Sequence, residues 1–194
     1  MVSDRQNIAA GTQQPEKFDV IIVGAGISGI GSATLLRKHC PDLSFAILEA
    51  LEGHGGTWLI HKYPGTRSDS DLFTFGYGFK PWTGQPIASR GQILDYLGDA
   101  ITDSGLGPFI RYGHSVTSAD WSSETASWRL TVERKDADDV VEMEASFLWM
   151  CQGYYRHAQG YTPEWPGIDR FKGQIIHPQH WPEDVDLAGK NVTV

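Results

Sequence analysis

Apolar positions recur in two rhythms along this chain. Residues 18–23 (FDVIIV) form a short β-branched apolar run that ends directly on Gly24, the pattern of a strand buried on both faces of a parallel sheet. From Ser28 to His39 (SGIGSATLLRKH), Ile30, Ala33 and Leu35 or Leu36 return at helical spacing, and Pro41 stops the helix. Residues 44–48 (SFAIL) predict a second strand ending at Glu49. Strand, glycine turn, helix and strand in about thirty residues make a βαβ unit with a right-handed crossover.

Residues 50–89 are rich in Gly, Pro and aromatics and keep neither period, as a long functional loop system does. Residues 92–101 (QILDYLGDAI) predict a helix with Ile93, Leu94, Leu97, Ala100 and Ile101 on its apolar side, closed by Gly105 and Gly107. Residues 115–121, 127–134 and 140–151 then read as three sequential strands. They predict a β-meander inserted before the chain returns to the sheet. From Gln152 to His180 the composition turns to Gly, Pro, His and aromatics, a connector between domains, and residues 190–194 (KNVTV) predict the start of another strand. The expected fold class is α/β, a Rossmann-like, doubly wound and mostly parallel sheet carrying a β-meander.

Composition narrows the choice of function. A net charge of -8, a sequence pI near 5.3 and the lack of a Lys/Arg block argue against nucleic acid or an anionic membrane as main partner. Cys40 and Cys151 show neither C-x-x-C spacing nor histidines in ligand register, so neither metal site nor disulfide framework is expected. No run approaches the roughly 20 apolar residues of a transmembrane helix. Residues 1–15 read as a polar, flexible tail without signal-peptide character, and the expected setting is reducing and cytoplasmic.

Gly24-Ala25-Gly26-Ile27-Ser28-Gly29 is G-x-G-x-x-G between the predicted strand and helix, with Glu49 twenty residues after Gly29 at the end of the next strand. This is the context that a dinucleotide fingerprint requires. Gly24 permits the tight turn, Gly26 admits a pyrophosphate to the backbone, and Gly29 allows close helix packing. The helix N-terminus, at Ser28, adds partial positive charge. Glu49 is placed for ribose hydroxyls and would repel a 2′-phosphate, which favours FAD or NAD. Spacing alone does not choose between these two.

Later segments do. Gly55-Gly56-Thr57-Trp58, Tyr63-Pro64-Gly65-x-Arg67-Ser68-Asp69 and Phe171-x-Gly173-x-x-x-His177-x-x-x-Trp181-Pro182 resemble the G-G-T-W, Y-P-G-x-R-x-D and F-x-G-x-x-x-H-x-x-x-W-P segments of the class B flavin monooxygenases. The last is the Baeyer-Villiger fingerprint, and the stretch His177-Pro178-Gln179-His180-Trp181-Pro182-Glu183-Asp184 is most similar to the ethionamide-activating branch. The resemblance covers about residues 16 to 194.

It implies an FAD- and NADPH-dependent enzyme in which a C4a-peroxyflavin inserts one oxygen atom of O2 beside a ketone carbonyl, giving an ester or lactone. By the same resemblance Gly24, Gly26, Ser28, Gly29 and Glu49 hold the ADP half of FAD. Gly56, Thr57 and Trp58 lie along its remaining half, and the backbone of Val116 contacts adenine. Arg67, Ser68 and Asp69 match a segment touching NADP, with Asp69 the first candidate catalytic residue. A plain alternative is that Asp69 and Asp71 cap a loop or helix. His177 is the second candidate, with a satisfied structural histidine as its alternative.

Two positions depart from the family: Leu59 replaces a frequent Asp, and Gln152 replaces a Thr or Ser. The implied division is an FAD-binding domain at 16–159 with the meander at about 114–151, a connector at 160–187, and the first strand of an NADPH domain at 188–194. That domain is the expected missing partner, in the same polypeptide. Ketone and sulfide substrates, sulfur or nitrogen oxygenation, and a stand-alone FAD-binding module without activity all remain open.

Overall fold

A computed structural model describes residues 14–157 and 159–194, so the tail expected at 1–15 falls almost wholly outside the described residues. The opening unit forms with small shifts of boundary. β1 is Glu16–Val23, α1 is Ile27–His39 and β2 is Phe45–Leu48. Within the aperiodic stretch lie two single-turn helices, α2 (Thr57–Ile60) and α3 (Leu72–Phe75), followed by α4 (Arg90–Asp103). A two-residue strand that carried no periodic signal, β3 (Ile110–Arg111), precedes β4 (His114–Ser122), β5 (Ser127–Arg134) and β6 (Asp139–Met150).

All six strands share one sheet in the order β3-β2-β1-β6-β5-β4. β3, β2, β1 and β6 run parallel, and β6, β5 and β4 run antiparallel. The expected meander is β4 to β6, and its last strand is the one that returns the chain to β1. β6 is twelve residues long and uses its first part, Asp139 to Ala145, against β5 and its last part, Met143 to Met150, against β1. One strand belongs to both ladders.

The period of two in the strands sorts the core into two layers. Val20 and Ile22 of β1 with Phe45 and Ile47 of β2 meet Ile30, Ala33 and Leu36 of α1 and Ile93, Leu97 and Ala100 of α4. Ile21, Ala46 and Leu48 point to the other face, where Leu130 and Val132 of β5 and Met143 and Ala145 of β6 cover them. Helices thus shield one face and the meander shields the other.

Helix α4 starts two residues before its periodic signal because Ser89 and Gln92 form a reciprocal capping box. The loop system at 50–89 is held by specific bonds. The Gly55 amide donates to the Ala25 carbonyl at 2.9 Å, the Ser68 amide to Ala88 at 2.9 Å, and the Tyr77 hydroxyl to the Ile27 carbonyl at 2.6 Å. Burial pushes the Tyr77 phenol above its ordinary range, so it remains a donor. Residues 190–194 form no strand, since no neighbouring strand of the described residues offers them a ladder.

Candidate functional site

β1 lies between β2, which follows it through α1, and β6, which the chain reaches only after β5, so the sequential order of the strands reverses beside β1. In an open α/β sheet this is where a crevice forms beyond the carboxyl ends of the strands. A cleft of about 580 Å³ opens there, lined by Val23, Gly24, Gly26 to Ser28, Leu48 to Leu51, Gly55 to Trp58, Ser68 to Ser70, His114 to Val116 and Cys151 to Tyr155, among others.

The floor is made of backbone. Gly24, with φ of 105°, turns the chain out of β1, and its amide donates to the Leu48 carbonyl at 2.7 Å. α1 begins immediately, leaving its first-turn amides without intrahelical partners. Opposite stands the Gly55–Gly56 loop. A Cβ on Gly56 would lie 3.4 Å from the Cα of Gly26, so two backbones face each other with no side chain between them. The two backbones are in contact there, and their side-chain-free rim faces the cleft beside the N-terminus of α1, where an anionic group could approach the backbone closely.

Glu49 is buried at 7% exposure yet has no cationic partner among the described residues. Its carboxylate accepts the Ala25 amide at 2.7 Å on Oε2 and the Leu51 amide at 2.9 Å on Oε1. Each oxygen keeps capacity for a further hydrogen bond, which suits a ligand hydroxyl. His114, Ser115 and Val116 continue the wall on this side. The other end is aromatic, with Trp58, Phe75, Tyr154 and Tyr155.

Of the residues singled out from sequence, Gly24, Gly26, Ser28, Glu49, Gly56, Thr57, Trp58, Ser68, Asp69 and Val116 line this one cleft. Three do not. Gly29 lies behind it, where a Cβ would fall 1.8 Å from the Gly24 carbonyl oxygen, so it serves the packing of α1 on the turn. Arg67 is exposed and donates from Nε to its neighbour Gly65 at 3.0 Å. His177 lies in the connector, its Nδ1 accepting the Gln179 amide at 3.1 Å.

The two aspartates separate cleanly. Asp71 caps α3 by accepting the Thr74 amide at 2.9 Å, whereas Asp69 is exposed at the cleft and, among the described residues, hydrogen-bonds only the Ser70 hydroxyl, at 3.5 Å. The phenol of Tyr155 is pushed up, chiefly by its pairing with Tyr154 and further by the charge of Asp69. Ser68 is committed elsewhere, its hydroxyl accepting the Ala88 amide at 3.1 Å.

Sequence reasoning missed Tyr154, Tyr155 and His157 as wall residues, since they follow β6 in an irregular segment with no period to read. Their one signal was position, directly after a strand that ends at the crevice. Cys151 also lines the cleft, with its thiol 3.9 Å from the Ser32 hydroxyl and pushed up by burial. Among the described residues no three His, Cys, Asp or Glu side chains converge as metal ligands, and no helix is long and apolar enough to cross a membrane.

Comparison with known proteins agrees with this geometry. Residues 22–97 match the NAD(P)-binding Rossmann-like domain, and residues 86–194 match the flavin-binding monooxygenase-like family. The chain is 52% identical over 180 residues to the FAD-containing monooxygenase EthA of Mycolicibacterium smegmatis, covering 92% of this chain and 36% of that protein. It is 47% identical to a probable FAD-binding monooxygenase, AlmA, of an Acinetobacter species, with the same coverage. It spans about a third of the length of these curated relatives.

Among solved structures, a steroid monooxygenase bound to NADP superposes with a TM-score of 0.73 at 33% identity, over 89% of this chain and 33% of that one. An open cyclohexanone monooxygenase does so with 0.74 at 29% identity, over 90% and 34%. With a crevice at the switch point of its sheet, a glycine floor and a matching family model over more than half its length, the chain belongs to the flavin-binding monooxygenase-like family.

Proposed function

We propose that the cleft holds FAD and that the chain is the flavin-binding part of an NADPH- and O2-dependent monooxygenase. One observation carries the reading: the Gly26 and Gly56 backbones face each other beside the N-terminus of α1, with the Glu49 carboxylate at the same turn. A diphosphate fits the first feature and a ribose the second. When bound, FAD supplies the redox chemistry, taking electrons from NADPH and delivering them to O2.

The chain's own residues bind and orient. The amides of α1 and of the Gly55–Thr57 loop hold the diphosphate, Glu49 accepts the ribose hydroxyls, and the Val116 backbone meets adenine. Thr57 and Trp58 would lie along the remaining half of FAD, at the end of the cleft where the exposed rings of Tyr154 and Tyr155 stand. Asp69 presents a carboxylate at that end, suited to orient a guanidinium or the carboxamide of the second nucleotide. On this reading residues 16–159 bind FAD, residues 160–187 connect, and the NADPH domain is a further part of the same polypeptide. The unpaired Cys40 and Cys151 favour a reducing, cytoplasmic setting.

The finer reading is Baeyer-Villiger oxygenation of a ketone to an ester or lactone. Phe171, Gly173, His177, Trp181 and Pro182 support it, as does the likeness to cyclohexanone monooxygenase. The first test is whether the purified chain acquires the visible spectrum of bound flavin when given FAD. The second offers cyclohexanone and a thioether, with NADPH and O2, to the natural full-length polypeptide. A lactone is the expected product. Sulfoxide alone would assign sulfur oxygenation, and bound FAD with no NADPH oxidation would leave a flavin-binding module.

A further inference from the structure

We propose that Gln179 is a positioning residue which sets the aromatic end of the cleft from outside it. The wall segment 154–157 leaves β6 without helix or ladder to hold it, yet Tyr154, Tyr155 and His157 all line the cleft. What holds it is the connector. The Gln179 side-chain amide donates from Nε2 to the His157 carbonyl at 2.6 Å and to the Arg156 carbonyl at 3.2 Å. A primary amide has two hydrogens for two carbonyls, and a carboxylate of the same shape has none.

Gln179 is itself fixed. Its backbone amide donates to His177 Nδ1 at 3.1 Å, and the His177 ring lies so close over Gly160 that a Cβ there would fall 2.1 Å from its Cε1. A second contact runs parallel to the first, with Trp181 against Tyr63 at 6.4 Å between ring centroids and Tyr155 against His61 at 6.1 Å. His177, which does not line the cleft, is thus linked to it through Gln179 and the 156–157 carbonyls. This role rests on reading the cleft as a flavin site.

The test compares wild type with Gln179→Ala and the isosteric Gln179→Glu, with the exposed Lys172→Ala as control. Without ligand, tryptic cleavage after Arg156, followed by fragment mass, should quicken about tenfold in both Gln179 variants, the change in open population that losing two hydrogen bonds brings. With FAD bound, emission of the flavin should rise as its aromatic wall loosens, while FAD affinity stays within about threefold because the diphosphate floor is untouched. Unchanged cleavage overturns the clasp. Faster cleavage with unchanged flavin emission overturns the positioning role alone. A wild-type chain that takes up no FAD overturns the flavin reading and this role with it, whatever trypsin shows. If Gln179→Ala fails to fold, Gln179→Glu decides on the same readouts.

Discussion

Glu49 at the end of β2 accepts the amide of Ala25 at 2.7 Å, which joins the acid of the fingerprint to its glycine turn through a single hydrogen bond. The same carboxylate takes the Leu51 amide, so two backbone segments are aligned before any ligand arrives. Glu49→Gln sets an NH2 group against one of these donors and also removes a charged acceptor for ribose. FAD affinity should fall roughly 10- to 100-fold, as expected for about 1.5 to 3 kcal/mol of charge-assisted hydrogen bonding. Fluorescence titration with FAD measures it, and equal affinity would remove Glu49 from the site.

Gly29→Ala tests the packing beneath the turn. The new methyl would lie 1.8 Å from the Gly24 carbonyl oxygen, a backbone atom that cannot move without shifting the turn. A cost of about 3 kcal/mol is expected, the upper part of the overpacking range, with a Tm lower by roughly 6 to 12 °C. Thermal unfolding by circular dichroism gives the answer.

Asp69→Ala separates binding from turnover. Asp69 bonds only weakly to Ser70 and does no capping, which Asp71 performs. In the full-length polypeptide, FAD should stay bound while NADPH-driven reduction slows by about tenfold or more, the scale of a lost orienting contact. Stopped-flow reduction measures the rate. Loss of FAD from this variant would make Asp69 a structural residue.

How much of this was legible depended on whether period or chemistry was available to read. Ile21 and Ile22 announce a strand buried on both sides, and the structure sends them to the meander layer and the helix layer respectively. The capping box at Ser89 and Gln92 was present in the sequence, and reading it would have placed the start of α4 correctly. β3 was illegible because two residues carry no period. Gly24, Gly26, Gly29 and Glu49 could be found from spacing alone, since the chemistry fixes their register, whereas Gly55 and Gly56 were reached only through the family resemblance. Tyr154 and Tyr155 could not, because they reach the cleft through the end of β6 and, for Tyr155, a contact with His61, which is distant in sequence.

A pH experiment follows from the first strand. Glu16 pairs with Arg111 through two contacts of 2.6 Å, across the edge of the parallel sheet, and this hydrogen-bonded guanidinium lowers its carboxyl below the usual value. A lowered carboxylate stabilises the fold above its unfolded pKa of 4.5 and loses that contribution as pH falls through the folded value. The pair is largely solvated, so Glu16→Gln should cost no more than about 1 kcal/mol at pH 7. The difference from wild type should vanish in urea titrations run progressively below pH 4.5.

Ser89→Ala should remove the cap of α4 and lower stability by about 1 kcal/mol, read from a urea midpoint at unchanged slope.

The double membership of β6 also sets an order of assembly. β1 is made first, but one of its two ladders waits for Met143 to Met150, which are synthesised only after every other strand of the sheet. Until then β1 has an open apolar edge, and the face bearing Ile21 and Leu48 lacks its cover. An emerging chain therefore has to keep its first strand shielded until β6 has been translated, and a ribosome paused inside the meander would leave an aggregation-prone strand edge exposed.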